Sequence, residues 1–73
     1  MRKIVSARIV QANPDMGIYT NEVWIKVAGS NREELLFTYY PDELSFQANE
    51  FIGKTREESL KIRQAKDIKY LQS

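Results

Sequence analysis

The chain has 73 residues, with eleven basic and ten acidic side chains and a formal net charge of +1. A chain of this length forms one domain, residues 1–73, and buries only about 60% of the surface of its unfolded state, so we expect marginal stability. The nearly balanced charge provides no general attraction to nucleic acid or to a membrane surface.

The sequence contains no cysteine and no histidine. This composition excludes disulfides, thiolate nucleophiles, zinc sites built on those residues and acid–base catalysis by histidine. The acidic residues between positions 33 and 50 match no calcium-binding spacing. We therefore expect no enzymatic activity, no metal and no cofactor. The lack of cysteine fits a reducing compartment, and we expect a cytoplasmic protein.

The N-terminal region does not resemble a signal peptide. Its apolar residues are interrupted by Ser6 and Arg8, whereas a signal peptide needs an unbroken apolar run. No stretch of the sequence approaches the 18 or so apolar residues that a transmembrane helix requires. We therefore expect no membrane partner.

Three segments rich in β-branched and aromatic residues predict strands over residues 3–11, 19–28 and 34–40. Pro14 and Gly17 lie in a turn between the first two strands, and the sequence Gly-Ser-Asn at residues 29–31 separates the second from the third. Such short connections predict antiparallel hairpins and a three-stranded meander.

The alternation of side chains along each strand divides the predicted sheet into two faces. We assign the more apolar face to the core, and it carries Val5, Ile9, Val23, Ile25, Val27, Leu35 and Phe37. The opposite face carries Ile4, Arg8, Val10, Trp24, Lys26, Leu36, Thr38 and Tyr40. Both faces therefore contain large apolar side chains.

The segment after the third strand is predicted to return across one end of the core. Pro41 ends the strand because proline has no N–H to donate to the ladder. Residues 47–52 predict one helical turn, closed by Gly53 in the left-handed conformation. We expect Phe51 and Ile52 to close the end of the core.

Residues 55–71 form the only segment long enough for a helix of several turns. Thr55 and Glu58 have the spacing of a capping box at its first turn. Its apolar residues spread over a wide arc at about 100° per residue, and we expect four of them to face the sheet, namely Leu60, Ala65, Ile68 and Leu71. The prediction is an α+β fold, a three-stranded antiparallel β-meander packed on one face by a C-terminal α-helix.

The predicted order of elements is β-β-β-α. This order resembles that of the DNA-binding domains of phage integrases and of plant AP2 proteins, and the resemblance lies in the order of elements alone. It implies the outline of the fold and not the function, because one fold hosts many functions.

One helix covers only one face of a three-stranded sheet. The uncovered face therefore becomes a candidate docking surface, and its interaction residues are predicted to be Arg8, Trp24, Lys26, Leu36 and Tyr40. It could bind a second copy, another protein, or bases stacked on the aromatic side chains. The leading hypothesis is a non-enzymatic interaction module that forms a homodimer. The alternatives are that a later segment of the chain covers this face or that the two faces are exchanged.

A second hypothesis is a small nucleic-acid-binding domain. It would use the aromatic and basic residues of the sheet, or the basic side of the C-terminal helix. On that helix Arg56, Arg63 and Lys66 fall on one arc together with Tyr70, an arrangement that can contact phosphates. The alternative for this arc is an ordinary solvated face.

Overall fold

A computed structural model describes residues 2–72 of the chain. Its regular elements, in chain order, are β1 (Ile4–Val10), β2 (Asn21–Val27), β3 (Glu34–Tyr39) and the helix α1 (Arg56–Gln72), with short 3₁₀ turns at Pro14–Met16 and Ala48–Glu50. The strands form one antiparallel sheet in the order β1-β2-β3. The predicted α+β fold with the order β-β-β-α is confirmed.

The central strand β2 shows the predicted alternation in full. Val23, Ile25 and Val27 are at most 2% exposed, while Trp24 on the opposite face is half-buried and pairs across the sheet with Arg8. Because neighbouring side chains on a strand point to opposite faces, Trp24 points away from the core, as predicted.

An irregularity near the start of β1 changes the predicted faces of two residues. Ile4 pairs with Val27 and Ser6 pairs with Lys26, so Val5 is the extra residue between two paired positions. Ile4 is buried in the core and Val5 is exposed. The prediction for both residues was wrong, since one inserted residue reverses the alternation on its far side.

A bulge in β3 has the same effect on the third strand. Val23 pairs with Phe37, whereas its neighbour Trp24 pairs with Leu35, which leaves Leu36 as the extra residue. Leu36 packs, partly buried, against the core, and Leu35 lies on the face of Trp24. The predicted faces of Leu35 and Leu36 were therefore wrong, for the same physical reason.

The segment between β3 and α1 supplies much of the cover over the core face. Leu44, Phe46 and Phe51 are buried in it. The Phe46 ring meets the Tyr39 ring edge-on at 4.8 Å between centroids and the Phe37 ring at 5.2 Å, an arrangement that favours aromatic pairs. Leu44, Phe46 and Phe51 therefore close the core together with the strands.

Backbone hydrogen bonds attach the end of this segment to the edge of β1. The Gly53 N–H donates to the Ile4 carbonyl at 2.9 Å, and the Ile4 N–H donates to the Lys54 carbonyl at 2.7 Å. Gly53 has a φ of +82°, the left-handed conformation predicted for it. Phe51 is fully buried as predicted, whereas Ile52 is exposed, so the prediction for Ile52 was wrong.

The capping box of α1 forms as the sequence predicts. The Glu58 N–H donates to the Thr55 hydroxyl at 3.2 Å, and the Thr55 N–H donates to the Glu58 carboxylate at 3.0 Å. The hydrogen bonds that the Glu58 carboxylate accepts from the Thr55 backbone N–H and from the Thr55 side chain lower the pKa of Glu58. Thr55 is itself buried, so the start of α1 is fixed both to its own first turn and to the body of the protein.

The rotation of α1 about its own axis differs from the prediction. Ser59 is fully buried and Ile62 packs against the core, whereas the four residues expected to face the sheet are all exposed, namely Leu60, Ala65, Ile68 and Leu71. Ser59 lies one helical turn after the buried cap Thr55, so the anchored start of α1 turns this side inward. Within residues 2–72, no helix is both long and apolar enough to cross a membrane.

Candidate interaction surface

The side of the sheet away from the core forms a continuous surface that we call the outer sheet face. Its side chains come from all three strands and are Ser6, Arg8, Val10, Glu22, Trp24, Lys26, Leu35 and Thr38. Trp24 is central, because it lies on the middle strand between Arg8 of β1 and Leu35 of β3. The bulge of β3 at Leu36 places Leu35 in this row.

The indole of Trp24 is held by two charged neighbours. The Arg8 guanidinium lies 5.8 Å from the centroid of the Trp24 ring, within the range of a cation–π contact. The Trp24 indole N–H donates to the Glu22 carboxylate at 3.1 Å. These contacts leave Trp24 half-buried in the single chain and fix the position of its ring.

Arg8 of the edge strand β1 is itself held in place by a residue at the opposite edge of the sheet. Its Nε–H donates to the Glu33 carboxylate at 2.7 Å. This hydrogen bond raises the pKa of Arg8 and lowers the pKa of Glu33, so both groups are charged at neutral pH. Glu33 precedes β3, so Arg8 spans the sheet from β1 across Trp24.

The charges of this surface balance. Arg8 and Lys26 are matched by Glu22 and Glu33, and Lys26 contributes to the lowered pKa of Glu33. Such a surface has no net attraction for phosphate groups, which basic patches provide in nucleic-acid-binding proteins. The outer sheet face and its neighbour Glu33 therefore carry as many acidic as basic side chains.

The structure brings together only some of the predicted interaction residues. Arg8, Trp24 and Lys26 lie on the outer sheet face. Leu36 is instead the extra residue of the β3 bulge and packs against the core. Tyr40 is 57% exposed but follows the end of β3, where it lines a shallow cavity with Asp42 and Glu43. It is not part of the row centred on Trp24.

The predicted interaction residues omit three side chains near Trp24, namely Glu22, Leu35 and Glu33. Strand alternation alone places Glu22 on the face of Trp24, so this residue could have been included. Leu35 could not, because its face depends on the bulge of β3. Glu33 could not either, since its contact with Arg8 joins residues that are 25 positions apart.

The basic arc of α1 was predicted to lie on the outer side of the helix. Arg56 and Tyr70 are exposed as predicted, whereas Arg63 and Lys66 are half-buried. Lys66 points inward, where its ammonium donates to the Ser45 carbonyl at 2.7 Å and to the Glu50 carboxylate at 2.8 Å. It also lies 4.3 Å from the centroid of the Phe46 ring. Burial acts to raise the pKa of Glu50, but the hydrogen bonds outweigh it and the pKa is lowered.

The two arginines of the same arc are also engaged by the body of the protein. Arg56 pairs with Glu34 at the start of β3. The Arg63 guanidinium lies 5.5 Å from the centroid of the Phe37 ring and 3.9 Å from Asp67. The contacts of Arg56 with Glu34 and of Arg63 with Phe37 attach the helix to the sheet.

In the part of the chain from residue 2 to residue 72, no group of three or more acidic side chains could hold a metal ion. Comparisons with models of protein families, with curated proteins and with solved structures found no match to this chain. The surface itself is therefore the basis for a functional proposal.

Proposed function

We propose that the chain is a non-enzymatic interaction module that forms a homodimer through its outer sheet face. One observation carries the proposal: Trp24 lies at the centre of this face, with Glu22 two residues before it and Lys26 two residues after it on the same strand. Tryptophan and arginine are the side chains that contribute most often to binding energy at the centres of protein interfaces.

The charges along β2 on either side of Trp24 are complementary to themselves. A two-fold axis that crosses β2 at Trp24, in the plane of the interface and perpendicular to the strand, reverses the strand direction in the second copy. Glu22 then faces Lys26 of the partner subunit, and the reciprocal pair forms as well. A homodimer with two-fold symmetry needs such a self-complementary patch, and an aromatic centre within a charged rim is typical of one.

Nucleic-acid binding is the alternative, and the geometry supports it less. The Arg8 guanidinium lies against the indole of Trp24, where a base would have to stack. The cysteine-free composition is compatible with the reducing cytoplasm, which we include in the proposal.

Sedimentation equilibrium over a range of concentrations tests the dimer. Trp24→Ala is expected to lower the mass of the assembly by shifting the equilibrium towards the monomer. Its effect on the stability of the isolated chain is expected to be smaller. Dilution of the wild type is expected to shift its tryptophan emission to the red as the interface opens. The matched control is Tyr19→Ala, because Tyr19 is an exposed aromatic that precedes β2. A wild type that stays monomeric at every concentration contradicts the proposal.

A charge exchange tests the symmetry of the interface. Glu22→Lys alone and Lys26→Glu alone are each expected to weaken the dimer, because like charges then face each other. The double variant restores opposite charges and is expected to recover most of the affinity. Added salt weakens phosphate binding steeply, so a steep loss of affinity for an oligonucleotide, with no self-association, would support the alternative instead.

A further inference from the structure

β3 lies at one edge of the sheet, and the strand order β1-β2-β3 leaves it paired on one side only. Within residues 2–72, no backbone group outside the sheet hydrogen-bonds to β3. The opposite edge of the sheet is bonded at Ile4 by Gly53 and Lys54. The N–H and C=O groups on the free edge of β3 are therefore available to a further extended strand, whose backbone is the chemical partner that such groups pair with.

The sequence of β3 lacks the features that protect most edge strands. Residues 35–40 read Leu-Leu-Phe-Thr-Tyr-Tyr and contain no charge and no proline, although charged side chains or proline normally keep an edge strand from pairing with another chain. The charge of Glu34, at the start of β3, is balanced by its contact with Arg56. Six uncharged residues of high strand propensity are typical of segments that pair between chains.

We propose that β3 pairs antiparallel with β3 of a second copy and extends the sheet across both chains. The bulge of β3 indicates this occupant. Leu36 is an extra residue opposite the regular strand β2, and any other regular strand at the free edge leaves one residue unpaired in the same way. A second β3 carries the same bulge, so the two strands match residue for residue.

The distribution of side chains between the two faces defines the register. Leu35 and Thr38 lie on the outer sheet face, whereas Leu36 and Phe37 lie on the core side. A two-fold axis perpendicular to the sheet, between Leu36 and Phe37, places Leu36 opposite Phe37 of the partner subunit. Leu35 then lies opposite Thr38 of the partner subunit. Each pair combines side chains of one face, whereas a shift by one residue pairs core side chains with outer ones, so the strand is self-complementary as a two-fold contact requires.

The edge contact and the outer sheet face are separate surfaces. Trp24 lies on β2, one strand away from the free edge, so it stays open when two β3 strands pair. The paired strands run over about 20 Å. Glu34 falls opposite Tyr39 of the partner subunit, and no like charges meet along the pair. The inference goes beyond the proposed function and does not depend on it.

Cross-linking through single cysteines tests the register, since the chain has no cysteine of its own. All variants also carry Trp24→Ala, which removes the dimer proposed through the outer sheet face. A mixture of Leu35→Cys and Thr38→Cys brings the two Cβ atoms to about 5 Å, and mild oxidation is expected to give mostly the mixed disulfide dimer. Either variant alone keeps its two thiols about 10 Å apart along the strand, beyond the reach of a disulfide, so little product is expected.

The cross-linked products, separated by mass spectrometry, identify the occupant of the edge. A mixture of Ser6→Cys, at an exposed position of β1, with Thr38→Cys gives the rate of random collision. Preferential linkage of Thr38→Cys to itself indicates parallel strands in register and overturns the proposal. A mixture of Leu35→Cys and Thr38→Cys that links no faster than the Ser6→Cys control leaves the edge to a strand of another protein, and overturns it as well.

A charge exchange at the same two positions tests the pair by sedimentation equilibrium, again with Trp24→Ala throughout. Leu35→Lys combined with Thr38→Lys places like charges opposite each other at both pairs and is expected to abolish the dimer. Leu35→Lys combined with Thr38→Glu places opposite charges there and is expected to retain it. Within one chain Thr38 pairs with Glu22, so lysine at this position favours the fold more than glutamate does, and unfolding does not account for a loss of association by the first variant. Equal masses for the two variants overturn the proposal.

Discussion

β2 and α1 both combine apolar and charged residues, but they use them in opposite ways. In β2 the side chains of Val23 and Ile25 are fully buried and the charged residues lie on the other face. In α1 the small polar Ser59 is fully buried, while Leu71 is 77% exposed. The strand buries the apolar face that its sequence pattern predicts, whereas the helix leaves its predicted apolar face exposed.

The difference arises from what fixes each element. A strand in the middle of a sheet has only two faces, so an unbroken apolar series decides which one is buried. A helix can rotate continuously, and the apolar residues of α1 cover too wide an arc to choose one rotation. The hydrogen bonds of Gly53 and Lys54 with β1, together with the contacts of Lys66 with Phe46, choose it instead.

The largest expected effect comes from replacing a buried apolar side chain with alanine. The same replacement at an exposed position is the comparison. Phe51→Ala is expected to cost about 3–5 kcal/mol, because Phe51 is fully buried and a cavity remains. Leu71→Ala is expected to change stability by less than about 0.5 kcal/mol. Urea unfolding of both variants measures the contrast at a concentration where the wild type is monomeric. A loss above about 2 kcal/mol for Leu71→Ala would mean that α1 buries the face that the sequence pattern favours.

Removing the cap of α1 is expected to have a smaller effect. Thr55→Ala deletes the acceptor of the Glu58 N–H and is expected to destabilise the fold by about 1 kcal/mol. For a domain of this size, that loss lowers the melting temperature by several degrees. Thr55→Ser keeps the hydroxyl and serves as the control. An alanine variant that melts with the wild type would show that the capping box does not stabilise the folded chain.

Ser59 provides a test of the inward side of the helix. Among the side chains that the structure describes, its hydroxyl is buried without a hydrogen-bond partner. Ser59→Ala removes an unsatisfied polar group at nearly constant volume, so stability is expected to stay equal or to rise by up to about 1 kcal/mol. Ser59→Leu is expected to destabilise the protein, because Ser59 is fully buried and a larger side chain must displace its neighbours. Thermal melts of the two variants with opposite signs would support this rotation of α1; a stable Ser59→Leu would contradict it.

Stability is expected to change least with pH between about 6 and 8.5. The chain has no histidine, and the α-amino group is the only group expected to titrate in that range. Below about pH 4.5 stability is expected to fall, because the pKa values of Glu33, Glu50 and Glu58 are lowered from 4.5 in the folded protein. Their contribution is complete above the unfolded-state pKa and is lost as the pH drops through the folded-state values.

Melting temperatures across this range measure both parts of that prediction. The variant Glu58→Gln is expected to show a weaker loss on acidification, since one of the three carboxylates no longer titrates. A sharp change near neutral pH would reveal a carboxylate or lysine in an unusual environment, and it would reopen the question of catalysis.

The sequence by itself determined the three strands, the capping box of α1 and the two faces of β2. Each of these depends on neighbours along the chain. Alternation needs only successive residues, and the box needs only Thr55 and Glu58, three positions apart. The direction of Trp24 away from the core belongs to this group.

Only the tertiary structure decided that Leu35 and Glu33 lie near Trp24 and which side of α1 faces the core. Bulges at Val5 and Leu36 depend on the register of a neighbouring strand, which local pattern does not encode. The contact of Arg8 with Glu33 and the contacts of Lys66 join distant segments. The sequence pattern of α1 does not favour one rotation of the helix about its axis, so the contacts with distant segments determine which side faces the core.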